Sequence, residues 1–253
     1  MLKIVSILLV LCAGTLADPV LKPQIIGGTD AKRGDNPHMC SLRSTAHGCG
    51  ASIISAKWAV TAAHCVVGVS PSARTLRCGT ILHASGGKDY KLTQIIIHPD
   101  YANPSQLNND IALLQIEGEF DLGTQDSDVI KLPVQDSDLT ADAVVTVTGW
   151  GRLRNGVNDF PATLQTVDVP VVGRAKCTEQ NRNILPVTTA MFCAGLPEGG
   201  KDACQNDSGG PVKYNGELVG IVSWGNQCAL PNYPGVYTRV AIFRNWIKQN
   251  TGV

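Results

Sequence analysis

The sequence predicts an all-β fold. Three observations carry this. Short runs rich in β-branched residues recur along the 253-residue chain. They are bounded by turn formers, with 26 glycines and 14 prolines in all, more turn chemistry than a helical bundle of this length needs. Helical spacing of apolar residues is convincing in one place only, at the C-terminal end. A hydrophobic content of 43% against 17% charged residues marks a globular chain rather than a disordered one, long enough to bury a full core as one large domain or two small ones. Closure into barrels fits the run lengths because it hides strand edges; periodicity alone leaves a sandwich equally open.

Taken in order, Met1–Ala17 reads as a secretory signal peptide: Lys3, then an apolar run from Ile4 to Cys12, then small residues, with Thr15 and Ala17 suited to the positions before a signal peptidase cut. The rival reading is a buried N-terminal helix. The run is shorter than the roughly 20 apolar residues a membrane span needs, so a secreted chain that does not engage a membrane is expected. Removal of Cys12 turns nine cysteines into eight in an oxidising compartment. Strands are expected at Ala51–Ile54, Trp58–Ala62, Lys91–Ile97, Ile111–Ile116, Ala143–Thr148, Leu164–Val172 and Leu218–Trp224. Turn clusters fall at Ser70–Arg74, Ala84–Asp89, Asn155–Phe160 and Glu198–Lys201. The helix is carried by Val240, Phe243, Trp246 and Ile247, with Arg244 and Lys248 between them.

Lys and Arg number 21 and so do Asp and Glu, giving zero formal charge; a nucleic-acid binder would carry a basic excess to neutralise phosphates. The chemistry lies in three separated segments: Thr61-Ala62-Ala63-His64-Cys65, Asn109-Asp110-Ile111-Ala112-Leu113-Leu114, and Cys204-Gln205-Asn206-Asp207-Ser208-Gly209-Gly210-Pro211. An aspartate entering an apolar run must be paired or hydrogen-bonded. A serine beside two glycines can expose its hydroxyl and present backbone N–H groups to a ligand. A serine hydroxyl is a weak nucleophile that needs a base, and the base needs an orienting acid; Ser208, His64 and Asp110 supply those parts. Singly, each segment also reads as structural.

Together they resemble a known family. Ile25-Ile26-Gly27-Gly28, Trp58 through Cys65, Asp110 through Leu114, Gly149-Trp150-Gly151, Asp207 through Pro211, Ser223-Trp224-Gly225 and Pro234 through Tyr237 are similar to trypsin-like members of the chymotrypsin family of serine proteases. The likeness runs from Ile25 to the C-terminus, and the order His, Asp, Ser is the family's. It implies two packed six-stranded antiparallel β-barrels with a C-terminal helix: a first barrel over about 25–135, a second over about 136–238 and a helix over about 239–250. It implies, as the general template for triad chemistry holds, Ser208 as nucleophile, His64 as general base and Asp110 as its orienter, with the N–H groups of Asn206 and Ser208 as the oxyanion hole. Asp202 would floor the specificity pocket, with Ser223, Trp224, Gly225 and Gly235 also contacting substrate, and cleavage would follow Arg or Lys.

The resemblance also implies a zymogen, cut between Gln24 and Ile25 to release Asp18–Gln24, with the new Ile25 amine pairing with Asp207. Gln24 departs from the family's basic residue, so another protease is expected to make the cut. Asn206 departs from the family's glycine; its side chain should crowd the leaving-group side and weaken binding of protein inhibitors. Disulfides Cys49–Cys65, Cys177–Cys193 and Cys204–Cys228 are implied. Cys40 and Cys78 fall where the family's fold sets neighbouring strands, so a Cys40–Cys78 bond is expected, the alternative being two free thiols. The stretch 79–87 has no Asp or Glu, so no calcium or other metal, and no cofactor, is expected; His38, His47, His83 and His98 read as solvated or structural. The expected protein is a secreted, monomeric, digestive endopeptidase acting on proteins or peptides. The alternative is an inactive secreted homologue that binds partners.

Overall fold

The computed structural model describes residues 25–253; the predicted signal peptide and the propeptide with Gln24 lie outside the described residues. The chain forms β1 (Thr29–Asp30), β2 (Met39–Arg43), β3 (His47–Ile53), β4 (Trp58–Thr61), β5 (Thr75–Cys78), β6 (Lys88–Ile97) and β7 (Ala112–Ile116). There follow β8 (Val144–Gly149), β9 (Gln165–Val172), α1 (Arg174–Asn181), β10 (Met191–Ala194), β11 (Pro211–Tyr214), β12 (Glu217–Trp224), β13 (Gly235–Arg239) and α2 (Arg244–Thr251). Strands β2-β3-β4-β7-β6-β5 close into one antiparallel barrel. Strands β9-β10-β13-β12-β11-β8 close into a second through the β8–β9 pairing. Closure leaves no unpaired edge in either, and it decides for barrels where the sequence left a sandwich open.

Alternation of side chains builds each interior. In β9, Val167, Val169 and Val171 point into the second barrel beside Val145, Val147 and Val212, while Asp168 is exposed. In β7 both faces are buried. Ala112, Leu114 and Ile116 fill the first barrel, and Leu113, with Ile111 just before the strand, joins Trp58, Val60, Ile221, Leu218, Phe243 and Ile247 in a third cluster between the barrels. A strand covered on two sides reads as a continuous apolar run, which is why Ile111 through Leu114 carries no polar residue. The same middle cluster receives α2 through Ile247 and the turn before it through Val240 and Phe243. Gly252, at φ 79°, ends the helix in the left-handed conformation a Cβ disfavours.

The first barrel proper is narrower than 25–135. Thr29 and Asp30 pair with β9 of the second barrel, and Ile25 packs in that barrel's interior. Lys131 bridges to Glu217 of β12. Both ends of the expected segment thus strap the second barrel. Helix α1 was not expected from sequence: Arg-Ala-Lys-Cys-Thr-Glu-Gln-Asn buries only Cys177 and Asn181, so it shows almost no apolar stripe. Lys88 and Asp89, read as turn, begin the long β6.

Four disulfides are present: Cys40–Cys78, Cys49–Cys65, Cys177–Cys193 and Cys204–Cys228. Cys40 and Cys78 stand directly opposite each other in the β2–β5 ladder with Cα atoms 4.4 Å apart. That is the spacing of a non-hydrogen-bonded antiparallel pair, close enough for a disulfide.

Candidate active site

The site lies where the barrels meet. His64 follows β4 in a single helical turn, and Cys65 ties that turn to β3 through Cys49. Asp110 precedes β7 and is almost wholly buried. Its carboxylate accepts hydrogen bonds from His64 Nδ1–H at 2.7 Å, the His64 backbone N–H at 2.9 Å and Ser223 Oγ–H at 2.5 Å. Its backbone carbonyl accepts from Thr238 Oγ1 at 2.8 Å. Asp110 belongs to the first barrel, yet Ser223 in β12 and Thr238 in β13 hold it from the second. Because a carboxylate facing Nδ1 fixes the proton there, Nε2 of the neutral ring is left as an acceptor.

Ser208 is pinned from both barrels. Its carbonyl accepts from Gly50 N–H of β3 at 2.7 Å, and the next residue, Gly209, donates to Val222 O of β12 at 2.8 Å. A Cβ at Gly209 would strike Thr61 Oγ1, and one at Gly210 would come within 2.8 Å of Asp207 O and 2.9 Å of Thr148 O. The two glycines after Ser208 are therefore demanded by close backbone approach. Ser208 and His64 line one cleft, with no hydrogen bond between them among the described residues; such contacts commonly tighten only when substrate is bound. The N–H groups of Asn206 and Ser208 have no protein acceptor among the described residues. Asn206 sits at φ 75°, a conformation asparagine tolerates better than most residues.

A cavity of about 210 Å³ opens beside Ser208, lined by Ser223, Trp224, Gly225, Gly235 and, at its floor, Asp202. Asp202 is 3% exposed. Its Oδ2 accepts from Ala229 N–H at 2.9 Å, and the Ala203 N–H and the Tyr237 hydroxyl also lie against the carboxylate and favour its charged form. Burial pushes its carboxyl up to about 7, and neighbouring Asp207 adds to the rise. None of these partners is a cation, and a buried acid without one favours a cationic ligand. At Gly235 a Cβ would come within 2.6 Å of Asp202 Oδ1, so glycine there keeps the floor open.

Asp207 is fully buried and accepts from Gly151 N–H at 2.6 Å and Cys204 N–H at 2.8 Å. A Cβ at either Gly149 or Gly151 would collide with its carboxylate, which gives the Gly-Trp-Gly segment a steric reason. Among the described residues no cation pairs with Asp207, and burial pushes it up to about 7.

A profile of the family described as Trypsin matches residues 25–247. A protein named "Trypsin Blo t 3" from Blomia tropicalis is 47% identical, over 93% of this chain and 92% of its own length. This chain belongs to the trypsin family. "Trypsin Tyr p 3.0101" from Tyrophagus putrescentiae is 42% identical over 88% of this chain and 79% of its own. A "Vitellin-degrading protease" from Bombyx mori is 39% identical over 95% and 90%. The chain is thus a serine protease by family, and proteins are its substrates.

Within this trypsin-family site, three features escaped the sequence reading. Ser223, assigned there only to substrate contact, also donates to Asp110. Gln205 lines both the Asp202 cavity and the cleft of His64. His47, read as a scattered histidine, is half-buried against Trp150, ring centroids 5.4 Å apart, and bonds to Asn206. Its place two residues before Cys49, which is tied to the residue after His64, was the available signal. The one His/Cys/Asp/Glu grouping compact enough for a metal among the described residues is Cys49, His64 and Cys65, and its sulfurs are joined in a disulfide rather than offered as thiolates. No helix among the described residues is long and apolar enough to cross a membrane.

Proposed function

We propose that this trypsin-family enzyme hydrolyses peptide bonds after arginine or lysine through an acyl-enzyme. Ser208 Oγ attacks the carbonyl carbon while its proton passes to His64 Nε2. The N–H groups of Asn206 and Ser208 receive the negative charge on the carbonyl oxygen. The tetrahedral adduct collapses, and the leaving amine takes the proton from His64. Water, activated by the same imidazole, then releases the acid and frees Ser208. Asp110 holds the imidazole in the tautomer that accepts at Nε2 and stabilises the imidazolium. Asp202 receives the guanidinium or ammonium group of the residue before the cleaved bond.

The observation that carries this reading is the juxtaposition of a buried Asp202, with no cation beside it among the described residues, and an Asp110-held His64 on either side of Ser208. It favours an active protease over an inactive binding homologue, since no member of the set is missing. Amide reporters ending in arginine, lysine, tyrosine and leucine test it. Arginine and lysine should be cleaved at least 10²-fold faster than the others, and Ser208→Ala should remove the activity. Equal rates on leucine, or full activity in Ser208→Ala, would refute it.

We further propose a secreted, monomeric digestive enzyme, made as a zymogen, cut after Gln24 by a different protease and open to protein inhibitors. Four disulfides suit an oxidising, extracellular setting, and the names of the relatives from Blomia tropicalis and Tyrophagus putrescentiae support a trypsin role.

A further inference from the structure

Ser208 and Gln205 line two cavities at once. One is the Asp202 pocket. The other, about 510 Å³, is bounded by the Cys49–Cys65 disulfide, His64, Asn206 and Arg74. If the residue before the cleaved bond enters the first, the polypeptide after that bond must leave through the second, because the bond itself sits over Ser208. A space of that volume is about 8 Å across, room for roughly two extended residues at about 3.3 Å each.

The charge of this second cavity is one-sided. No aspartate or glutamate lines it. Arg74 is half-buried in its wall, and the hydrogen bond its guanidinium makes is to its neighbour's carbonyl, Ala73 O, at 3.1 Å. Carbonyls orient a guanidinium without neutralising it. Arg43, bonded to Thr45 O of the lining at 3.0 Å and to His83 O at 2.8 Å, adds a second guanidinium near the cavity, partly offset by Asp89. His47, also in the lining, is kept uncharged at neutral pH by burial. The leaving-group half of the cleft is therefore cationic, while the acyl half ends on a carboxylate.

We propose that Arg74 is a specificity-determining residue that selects substrates with aspartate or glutamate at the first or second position after the cleaved bond. The inference rests on the protease reading above and extends it to the other half of the substrate. The preferred sequence is a basic residue followed closely by an acid, and the two charges of the substrate would also fix its direction in the cleft. A carboxylate reaching Arg74 gains a charge-assisted, potentially bidentate partner, whereas a lysine there meets like charge. Attraction in one case and repulsion in the other add, so a several-fold difference is expected even though a single exposed pair is weak.

Internally quenched peptides with arginine before the cleaved bond, and glutamate, alanine or lysine at the first or second position after it, test this. For each enzyme variant, kcat/KM is divided by its own value on an arginyl coumarylamide, which carries no residue on that side. Glutamate peptides should exceed lysine peptides by about 5- to 10-fold at low salt, with the ratio shrinking as salt screens the pair. Arg74→Ala should bring the ratio near unity, Arg74→Glu should invert it, and Arg74→Lys should keep much of it. A ratio unaffected by Arg74→Ala or Arg74→Glu, with the coumarylamide still cleaved, overturns the role of Arg74 alone. Failure to cleave the coumarylamide in the parent enzyme overturns the protease reading itself.

Discussion

His47 and Asn206 are joined twice: His47 Nε2–H donates to Asn206 O at 2.9 Å, and Asn206 Nδ2–H donates to His47 O at 3.3 Å. Because a carbonyl only accepts, the ring must carry its proton on Nε2, and Nδ1, 2.8 Å from Ser41 Oγ, accepts from that hydroxyl. Burial holds the imidazole neutral, with its pKa pushed down to about 4. A first-barrel histidine thus fixes the turn that aims the Asn206 N–H.

His47→Ala should loosen that aim without removing the donor. Loss of a whole oxyanion donor costs about 10²–10³ in kcat, so about 10-fold in kcat is expected, with KM for an arginyl amide changed less than about 2-fold. Steady-state kinetics on that amide decide it. A rise in KM with kcat intact would mean that His47 acts on substrate binding instead.

Asp202 gives a pH dependence of definite sign. Its carboxyl, normally near 3.8, is raised by burial to about 7 in the unliganded protein. Below that pH a bound cation must displace a proton, so benzamidine affinity should fall by up to about tenfold per pH unit. Calorimetry in buffers of different ionisation enthalpy should register proton release at pH 6 and almost none at pH 8.5. The stability effect on the free protein runs the opposite way: a raised carboxyl contributes stability that is complete below pH about 4 and is lost as pH rises through about 7. The ligand's contribution follows its affinity instead, so the rise in Tm from a fixed benzamidine concentration should be larger at pH 8 than at pH 5.5. Asp202→Asn should lower arginine-ester kcat/KM by about 10²- to 10⁴-fold, the range for removing one partner of a buried ion pair. Affinity for benzamidine that does not vary with pH would refute a titrating Asp202.

What was legible in the sequence follows from where each element gets its stability. β7 and β9 were read because burial imprints a pattern: Ile111 through Leu114 is apolar on both faces and Val167, Val169 and Val171 alternate. β5, β10 and β11 have four residues each, too few for a period to show, and they are held by partners distant in sequence. α1 is held by the Cys177–Cys193 bond and by packing that its composition does not record. The segments of the site were visible because chemistry constrains residue type at Ser208 and its glycines. Their supports were not, since Ser223, Thr238 and His47 act through contacts made only when the two barrels meet.

Asn206 has a second consequence. It lines the leaving-group half of the cleft, where a glycine would leave space. A small amide does not reach that space, but a rigid protein inhibitor fills it. Asn206→Gly should therefore tighten binding of a protein inhibitor of trypsins by about tenfold while changing kcat/KM on an arginyl coumarylamide less than about 3-fold. Asn206→Ala should cost activity on both, because alanine is strained at φ 75° and lacks the amide that bonds His47 O. Inhibition constants for the variants measured side by side are the check. Unchanged inhibitor affinity in Asn206→Gly would show that the side chain does not obstruct.

Under the proposed zymogen reading, activation supplies a charge that is missing beside Asp207 among the described residues. Ile25 is fully buried in the interior of the second barrel, and Asp207, also fully buried, has two N–H donors but no cation among the described residues. An unpaired buried carboxylate is costly, and freeing the Ile25 amine would supply its partner next to the Asn206–Ser208 turn. On the proposed zymogen reading the cut falls after Gln24, whose uncharged amide cannot satisfy Asp202. Purified zymogen incubated alone should therefore gain little Ile25 N-terminus over hours, whereas a trace of an unrelated protease able to cleave after glutamine should activate it. Gln24→Arg should self-activate, with a lag that shortens as enzyme concentration rises. Asp207→Asn, cut in the same way, should be at least 10²-fold less active, since breaking a buried pair typically costs about 3–5 kcal/mol. N-terminal sequencing alongside activity separates cutting from ordering. Rapid, concentration-dependent self-cutting of the parent chain after Gln24 would mean that the Asp202 pocket does not demand a cation, and the specificity reading would fall with it.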